Sequence, residues 1–324
     1  MPLPTVAEGR QPVYKATMPD ASSTAALAAQ AHADRTARIA LIALLAGALG
    51  IAFSPIFVRL SELGPTATAF WRVAFAVPVL ALWMRMEPQG GPRTRRPSTP
   101  SDYLRLTAVG LFFAGDLASW HWSIKYTSVA NATLLANFAP IFVAPVSWLL
   151  FKERFTRTFM LGLVLAIAGA VVLMGQSVRL SMDALFGDAL GLVTAMFYAG
   201  YILTVGRLRS EFSTATIMTW SGAVTALALL PLAILSGESL VAGTAFGWSM
   251  LLGLALFSHA GGQSLIAYAL AHLPASFSSV SLLLQPAAAA VLAWALLGEP
   301  LGPWQAAGAA VVLFGILLAR RGSR

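Results

Sequence analysis

The chain has 324 residues, of which 58% are hydrophobic and only 10% charged, with 21 Lys and Arg, 13 Asp and Glu and no Cys. A soluble domain carries about 25% charged residues, so this composition excludes a water-soluble surface. It predicts an all-α integral membrane protein surrounded by the lipid bilayer. The missing cysteines exclude disulfide, zinc–thiolate and iron–sulfur sites, and we expect no cofactor. The basic residues lie in loops between apolar segments, which argues against a nucleic-acid partner.

Residues 1–38 contain many Ala, Pro and Ser residues and are mixed in charge. We interpret them as a cytoplasmic N-terminal tail, disordered or loosely helical. They do not resemble a typical signal peptide, because the first apolar run begins near Ile39 and continues as a full membrane span.

Ten apolar segments follow the tail, each of about the length that crosses the roughly 30 Å hydrocarbon core as a helix. We number them spans 1 to 10. They cover residues 39–60, 66–86, 103–124, 128–151, 158–175, 185–206, 214–235, 248–270, 276–297 and 304–319.

Lys and Arg are distributed unequally between the two sets of loops. With the N-terminus inside, 17 of them lie on the cytoplasmic side and 3 outside, while Arg72 lies within span 2. Cytoplasmic loops carry the excess of Lys and Arg in membrane proteins. Both termini, including the basic segment 320–324, are therefore predicted to be cytoplasmic.

The two halves of the chain repeat one another. Sliding the sequence by 146 residues aligns Gly115 with Gly261, Pro140 with Pro286, Trp148 with Trp294, Glu153 with Glu299 and Gly162 with Gly308. Each half has five spans, so the second half enters the membrane upside down, as in transporters built from inverted repeats. We predict a first repeat over 39–175, a loop over 176–184 and a second repeat over 185–319.

The residues around the aligned glutamates resemble a known family. The paired stretches are WLLFKERFTRTFMLGLVLAIAGAVVL (148–173) and WALLGEPLGPWQAAGAAVVLFGILL (294–318). They resemble the signature of the drug/metabolite transporter superfamily, in its ten-helix type with two EamA repeats. The GE pair is intact at Gly298-Glu299, whereas the first copy reads Lys152-Glu153. The stretch FWRVAFAVPVL (70–80) resembles the second helix of the family. The resemblance implies export of amino acids or other metabolites, through a cavity surrounded by spans 3, 4, 8 and 9 with parts of 1 and 6.

Two opposite charges lie at similar depth in the first repeat. Arg72 lies seven residues from Pro65 and Asp116 nine residues from Lys125, which places them ~10 and ~13 Å below the outer ends of their helices. Isolated charges are costly there, so we hypothesise an Arg72–Asp116 ion pair, direct or through water. It would be either a static lock between spans 2 and 3 or an outer gate.

Further polar and aromatic side chains are candidates for the walls of a substrate cavity. They are Ser119 and Trp120 in span 3, Thr133 and Asn137 in span 4, Tyr198 and Tyr201 in span 6, His259 and Gln263 in span 8 and Gln285 in span 9. Asn137, His259 and Gln285 fall near the midplane, where such transporters bind substrate. Hydrogen bonds between helices are the alternative role for the polar residues. The tyrosines could equally face lipid, and Trp120 could belong to the interfacial belt. His121 points away from the polar stripe at 100° per residue and is predicted to lie near the outer surface.

Prolines and glycines indicate the scaffold. Pro55, Pro140 and Pro286 each remove a backbone hydrogen bond and are candidate bending points. Glu153 and Glu299 lie at turns between helices, where we expect each carboxylate to cap the next helix. Small faces for close helix packing are expected at Gly162, Ala166, Gly169, Gly308 and Gly315.

These patterns favour a secondary transporter over other classes. The spans hold no cluster of acids for a metal-dependent enzyme, and nothing requires the oligomeric ring of a channel, so we expect no enzymatic activity. We predict an exporter of small amphipathic solutes in the bacterial inner membrane, working by alternating access. No obligate protein partner is evident from the sequence, and a monomer would be sufficient. Amino acids with large apolar or aromatic side chains are the favoured substrates; nucleosides, organic cations and drugs are the alternatives. Energy coupling is left open between a proton carried by His259 and facilitated diffusion.

Overall fold

The computed structural model describes residues 21–87, 94–127, 129–174, 182–298 and 301–323, and these ranges contain helices and no strands. In chain order the elements are α1 (Ala21–Ala52), α2 (Ser54–Leu60), α3 (Pro65–Ala74), α4 (Ala76–Met86), α5 (Pro100–Tyr126), α6 (Val129–Ala136), α7 (Ala139–Phe151), α8 (Arg157–Met174), α9 (Met182–Leu208), α10 (Thr214–Leu235), α11 (Ala245–Gly253), a π-helical segment (Leu254–Gln263), α12 (Ser264–Ala269), α13 (Ala275–Ser281), α14 (Leu284–Leu297) and α15 (Pro303–Gly322).

All ten predicted spans fall on helices. Within the described ranges, eight helical stretches are long and apolar enough to cross a membrane. The other two predicted spans correspond to α5, which at 27 residues is ~40 Å long, and to the shorter apolar α8. The structure is compatible with ten crossings; their number and the side of the membrane on which the termini lie stay predictions.

Two boundaries differ from the sequence-based division. Residues 21–38, assigned to the tail, are helical and continuous with span 1 in α1. α9 begins at Met182, inside the predicted inter-repeat loop, whose residues 176–181 lie outside the described part of the chain.

Close glycine contacts join spans 5 and 10. A Cβ atom on Gly315 would lie 2.5 Å from the backbone nitrogen of Ala166 and 2.7 Å from the carbonyl oxygen of Gly162. Gly169 and Gly308 face each other in the same way further along, with a Cβ on either 2.8 Å from the other's carbonyl oxygen. Helices in lipid associate through such van der Waals packing rather than through the hydrophobic effect. The predicted small-residue faces of α8 and α15 are confirmed.

Helix breaks lie at the predicted bending points. Pro55 follows the break between α1 and α2, Pro140 the break between α6 and α7, and Pro286 the break between α13 and α14. Each proline stands within the first three residues of its helix, where its missing N–H removes no intrahelical bond. The breaks leave two short half-helices, α6 and α13, beside the centre of the bundle.

The ends of spans 4 and 9 share a backbone feature. Lys152 ends α7 at φ 55° and Gly298 ends α14 at φ 68°. The two positions are related by the 146-residue repeat. This conformation is strained for a side chain with a Cβ and free for glycine, which explains why a glycine suits the family pattern at this position.

Candidate functional site

A cavity lies inside the bundle, between helices of both repeats. Its volume is about 140 Å³, roughly ten times the volume that one water molecule needs on the same measure. Its walls come from spans 1, 3, 4, 6, 8 and 9, which the family resemblance implied, and also from span 2. Two of its lining residues, Val58 and Thr68, lie near the turn between α2 and α3. The cavity therefore extends towards the end of the bundle that we call the predicted outer end.

Most of the residues predicted for the site lie around this cavity. Those that line it are Pro55, Arg72, Asp116, Trp120, Thr133, Asn137, Tyr198, Gln263, Gln285 and Pro286. The fold brings together positions separated by up to 231 residues, from 55 to 286. Placement in the wall is what their role as binding residues requires; the role itself stays a prediction.

Four predicted site residues do not line the cavity: Ser119, Pro140, Tyr201 and His259. The Tyr201 hydroxyl donates a hydrogen bond to Met218 Sδ at 3.6 Å, and its ring stacks on Tyr198 at 6.0 Å between centroids. His259 lies in the π-helical segment with its ring 5.3 Å from that of Phe113. Both ring nitrogens of His259 are buried without a hydrogen-bond partner among the described residues. Tyr201 and His259 thus form a layer behind the cavity wall.

Several polar groups of the wall have unused hydrogen-bonding capacity. Arg72 Nε, Gln263 Nε2 and Gln285 Nε2 are buried and form no hydrogen bond of normal geometry in the described part of the protein. The hydroxyl of Tyr198 lies close to both amides, and that of Tyr201 lies close to Gln263. Asn137 Nδ2 donates to the Thr133 carbonyl at 2.7 Å. Buried polar groups are normally hydrogen-bonded, so these donors provide sites at which a polar ligand would bind.

Arg72 and Asp116 face the same cavity without touching. No ion pair within 4 Å joins them, and among the described residues no other side chain pairs with either of them. The direct form of the hypothesised pair is therefore not present in this structure, and only a bridged form fits the geometry.

His121 faces the cavity, so the prediction that its side chain points away from the cavity-facing stripe was wrong. Its side chain is 2% exposed and lines the cavity. Its Nδ1 is hydrogen-bonded to the carbonyl oxygen of Leu117, and its ring lies edge-on against Trp120 at 4.9 Å. The cavity covers a wide arc of α5, from Asp116 to His121. A single stripe at 100° per residue could not show this arc.

Part of the cavity wall consists of residues that the sequence does not single out. Ile51, Ser54, Thr68, Phe113 and Thr194 line the cavity. Thr68 Oγ1 donates to the Leu63 carbonyl at 3.3 Å and Thr194 Oγ1 to the Leu190 carbonyl at 3.0 Å. Their hydroxyls are thus already satisfied within their own helices or turns, which is the common state of such residues. Nothing in the sequence distinguishes them from other threonines of the spans.

At the opposite end of the bundle, the predicted inner end, a carboxylate of the first repeat binds the start of a helix of the second. Glu153 accepts hydrogen bonds from the backbone N–H of Ala275 at 3.1 Å and from Ser276 Oγ, at the start of α13. The prediction that Glu153 caps the next helix, α8, was wrong: it caps span 9 of the other repeat. Lys152 has a left-handed backbone conformation and turns the chain just before Glu153. The Glu153 carboxylate contacts α13 of the second repeat. Glu299 lies outside the described residues.

A cluster of charged residues also joins the two repeats at the predicted inner end. Arg95 and Arg105 both donate to Asp102 and to Glu211, at 2.6 to 2.8 Å. Hydrogen bonds from Arg95 in the first place hold the pKa of Asp102 far below its ordinary range, and those from Arg105 and Arg95 lower the pKa of Glu211. The cluster ties the start of α5 to the turn between α9 and α10, and thus the first repeat to the second.

Comparisons with known proteins agree with this architecture. The sequence pattern of the EamA-like transporter family matches residues 38–175 and 185–321, which confirms the two predicted repeats. The chain is 28% identical over 277 residues to a protein of Streptantibioticus cattleyicolor named a probable terminal-alkyne amino-acid exporter, covering 83% of this chain and 89% of the relative. It is 27% identical over 242 residues to the pseudopaline exporter CntI of Pseudomonas aeruginosa, covering 74% and 81%. A crystal structure with 18% identity matches with a TM-score of 0.69 over 87% of this chain and 98% of that chain, which supports the fold alone.

Proposed function

Because the chain belongs to the EamA-like transporter family, we propose that it exports small amphipathic metabolites across the bacterial inner membrane by alternating access. Amino acids with large apolar or aromatic side chains are the substrates that we place first. The chain is a multi-pass membrane protein of a transporter family, and the proposal adds the direction, the mechanism and the substrate class.

The mixed character of the cavity wall is the observation that carries the proposal. Ile51, Phe113 and Leu117 supply an apolar face, Trp120 and Tyr198 aromatic rings, and other residues the charges and amides. A large apolar side chain gains about 1.5–3 kcal/mol by leaving water for such a surface. The polar groups would take the charged ends of the same solute. Sugar phosphates fit less well, because within the described wall Arg72 is the only Lys or Arg.

Alternating access is supported by the position of the helix breaks. The breaks before α7 and α14 occur at equivalent places in the two repeats, and Pro140 and Pro286 follow them. Inverted repeats of this kind give two related conformations by exchanging the arrangement of the halves. Export is supported by the two relatives whose names identify them as exporters.

Counterflow in proteoliposomes tests the proposal. Vesicles containing the purified protein are loaded with unlabelled phenylalanine, and the entry of labelled phenylalanine, tryptophan, methionine or threonine is followed. We expect transient accumulation of phenylalanine or tryptophan above protein-free vesicles. Asn137→Ala should reduce it, whereas Leu149→Ala, on a side chain 69% exposed at the lipid surface, should not. No accumulation with folded protein would reject the substrate class and direct the search to nucleosides, organic cations and drugs.

A pH gradient tests the coupling. If His259 carries a proton, an imposed gradient should change the rate of uptake, and His259→Gln should abolish that change. Equal rates with and without the gradient would exclude proton coupling and support facilitated diffusion.

A further inference from the structure

We propose that Arg72 and Asp116 are the specificity-determining residues of the cavity and together recognise a zwitterion. The carboxylate of Asp116 would bind the α-ammonium group of an amino acid, and the guanidinium of Arg72 its α-carboxylate. The inference rests on the proposed function and extends it, because it assigns the two ends of the substrate to two side chains.

The geometry of the two charges is the first argument. Arg72 from α3 and Asp116 from α5 line one cavity, yet their side chains remain more than 4 Å apart and neither forms an ion pair with any other described residue. A static ion pair would gain most of its Coulomb energy from contact, since the energy falls with distance and rises in a low dielectric. Two facing charges held apart are arranged for a ligand that fits between them.

Charge balance in the cavity also favours a zwitterionic ligand. A zwitterion brings one positive and one negative group and leaves the net charge of the cavity unchanged. An amine or a carboxylic acid without its opposite group would neutralise one side chain and leave the other as an unpaired charge, which is costly in a buried site. The arrangement therefore favours amino acids over amines and acids of the same shape.

The surroundings of the pair supply the remaining contacts. Arg72 Nε has no hydrogen-bond partner in the described structure. The amide nitrogens of Gln263 and Gln285 in the same wall form no hydrogen bond of normal geometry there, and the tyrosine hydroxyls are their nearest polar neighbours. These donors suit carboxylate oxygens, which accept several hydrogen bonds. Trp120 and Phe113, on the same helix as Asp116, line the cavity as well and provide a surface for an aromatic side chain.

The test uses three competitors of one shape against labelled phenylalanine uptake: phenylalanine, phenethylamine and 3-phenylpropionate. With the wild-type protein we expect only phenylalanine to compete strongly, at least tenfold better than the other two. Transport or competition by phenethylamine equal to that by phenylalanine would overturn the inference without any variant, so the test does not depend on how the variants fold.

Two variants should change the selectivity in opposite directions. Asp116→Asn should weaken competition by phenylalanine about tenfold. It should make 3-phenylpropionate a better competitor relative to phenylalanine, because Arg72 is still present to bind the carboxylate. Arg72→Gln should do the same for phenethylamine, because Asp116 is kept. In this pattern each variant loses selectivity for the ligand group that its side chain binds. A general loss of folding would not distinguish the two ligand groups. Arg85→Gln, at an exposed position in the last turn of α4, is the matched control and should keep the wild-type selectivity.

The remaining outcomes separate the two proposals. Unchanged selectivity in both variants, with phenylalanine still transported, would overturn the zwitterion site and leave the exporter function intact. Absence of amino-acid transport and binding by the wild-type protein would overturn both the zwitterion site and amino acids as the substrate class. The doubly exchanged variant Arg72→Asp, Asp116→Arg should not recover activity, since the amino acid would have to bind reversed. Recovery would instead support the static ion pair.

Discussion

Glu62 and Glu238 each bind backbone N–H groups at the start of the helix that follows the other's loop. Glu62, in the turn before α3, accepts hydrogen bonds from the backbone N–H groups of Gly243 and Thr244 at 2.8 and 3.1 Å, at the start of α11. Glu238, in the loop before α11, accepts one from the N–H of Ala67 at 2.9 Å, in the first turn of α3. Carboxylates stabilise helix N-termini through such bonds and through the helix dipole. The two repeats are thus interlocked at the predicted outer end.

The Glu62 cap should make stability depend on pH. The hydrogen bonds from Thr244 in the first place, with that from Gly243, lower the pKa of Glu62 below its ordinary value of 4.5. A lowered pKa in the folded state contributes stability above the unfolded pKa, and this contribution is lost as the pH falls through the folded value. Thermal unfolding in detergent should show wild type and Glu62→Gln differing at pH 7, with the difference shrinking as the pH falls below the ordinary value of 4.5.

The control for this prediction is Asp34→Asn, on an exposed side chain of α1. It should leave the transition temperature at pH 7 unchanged. A Glu62→Gln difference that persisted undiminished at low pH would show that the carboxylate charge does not stabilise the outer end.

The glycine contact between α8 and α15 should tolerate no side chain. Gly315→Ala places a Cβ against the backbone of the facing helix, and overpacking of this kind costs about 1–3 kcal/mol. Gly206→Ala in α9 would meet nothing nearer than a carbonyl oxygen at 3.9 Å and should be neutral or stabilising by up to ~1 kcal/mol. Denaturant unfolding of both variants checks this. Equal stability of the two would contradict the close packing of spans 5 and 10.

Lys152 offers a stabilising substitution. Lys152→Gly relieves a left-handed backbone conformation that glycine adopts without strain, so a gain of about 1 kcal/mol is expected. Gly298→Ala, at the equivalent position of the second repeat, should lose a similar amount. Transition temperatures that moved in the reverse directions would contradict the shared geometry of the two turns.

The Glu153 cap should control access from the predicted inner end. Since the chain has no native cysteine, a single Ser278→Cys reporter in the buried face of α13 can be labelled with a membrane-impermeant thiol reagent. Glu153→Ala removes the cap from α13, and a charge-assisted hydrogen bond contributes about 1.5–3 kcal/mol. Labelling from the inner side should therefore become severalfold faster than in the protein that carries the reporter alone.

Arg154→Ala, at the adjacent exposed charge, is the matched control and should label at the rate of the reporter protein. Identical slow labelling in the Glu153 and Arg154 variants would mean that Glu153 does not hold this end closed.

The sequence predicts features that depend on helix period and residue size. The spacing of small residues predicts the packing positions of Gly162 and Gly315. Counting residues along the spans predicts the depth of Asn137 and Gln285, and both line the cavity. Features that depend on contacts between distant helices are not predictable in this way. The partner of Glu153 lies 122 residues away, and His121 lines the cavity although it does not belong to the polar stripe of α5. His259 has the depth of a site residue but lies behind Phe113, since depth alone does not fix which way a side chain points.

Counterflow of labelled phenylalanine tests most directly whether this protein moves zwitterionic amino acids. We expect accumulation in vesicles loaded with phenylalanine, and we expect unlabelled phenylalanine, but not phenethylamine or 3-phenylpropionate, to block it. Folded protein that gave no accumulation, or that gave accumulation blocked equally by all three compounds, would contradict this expectation.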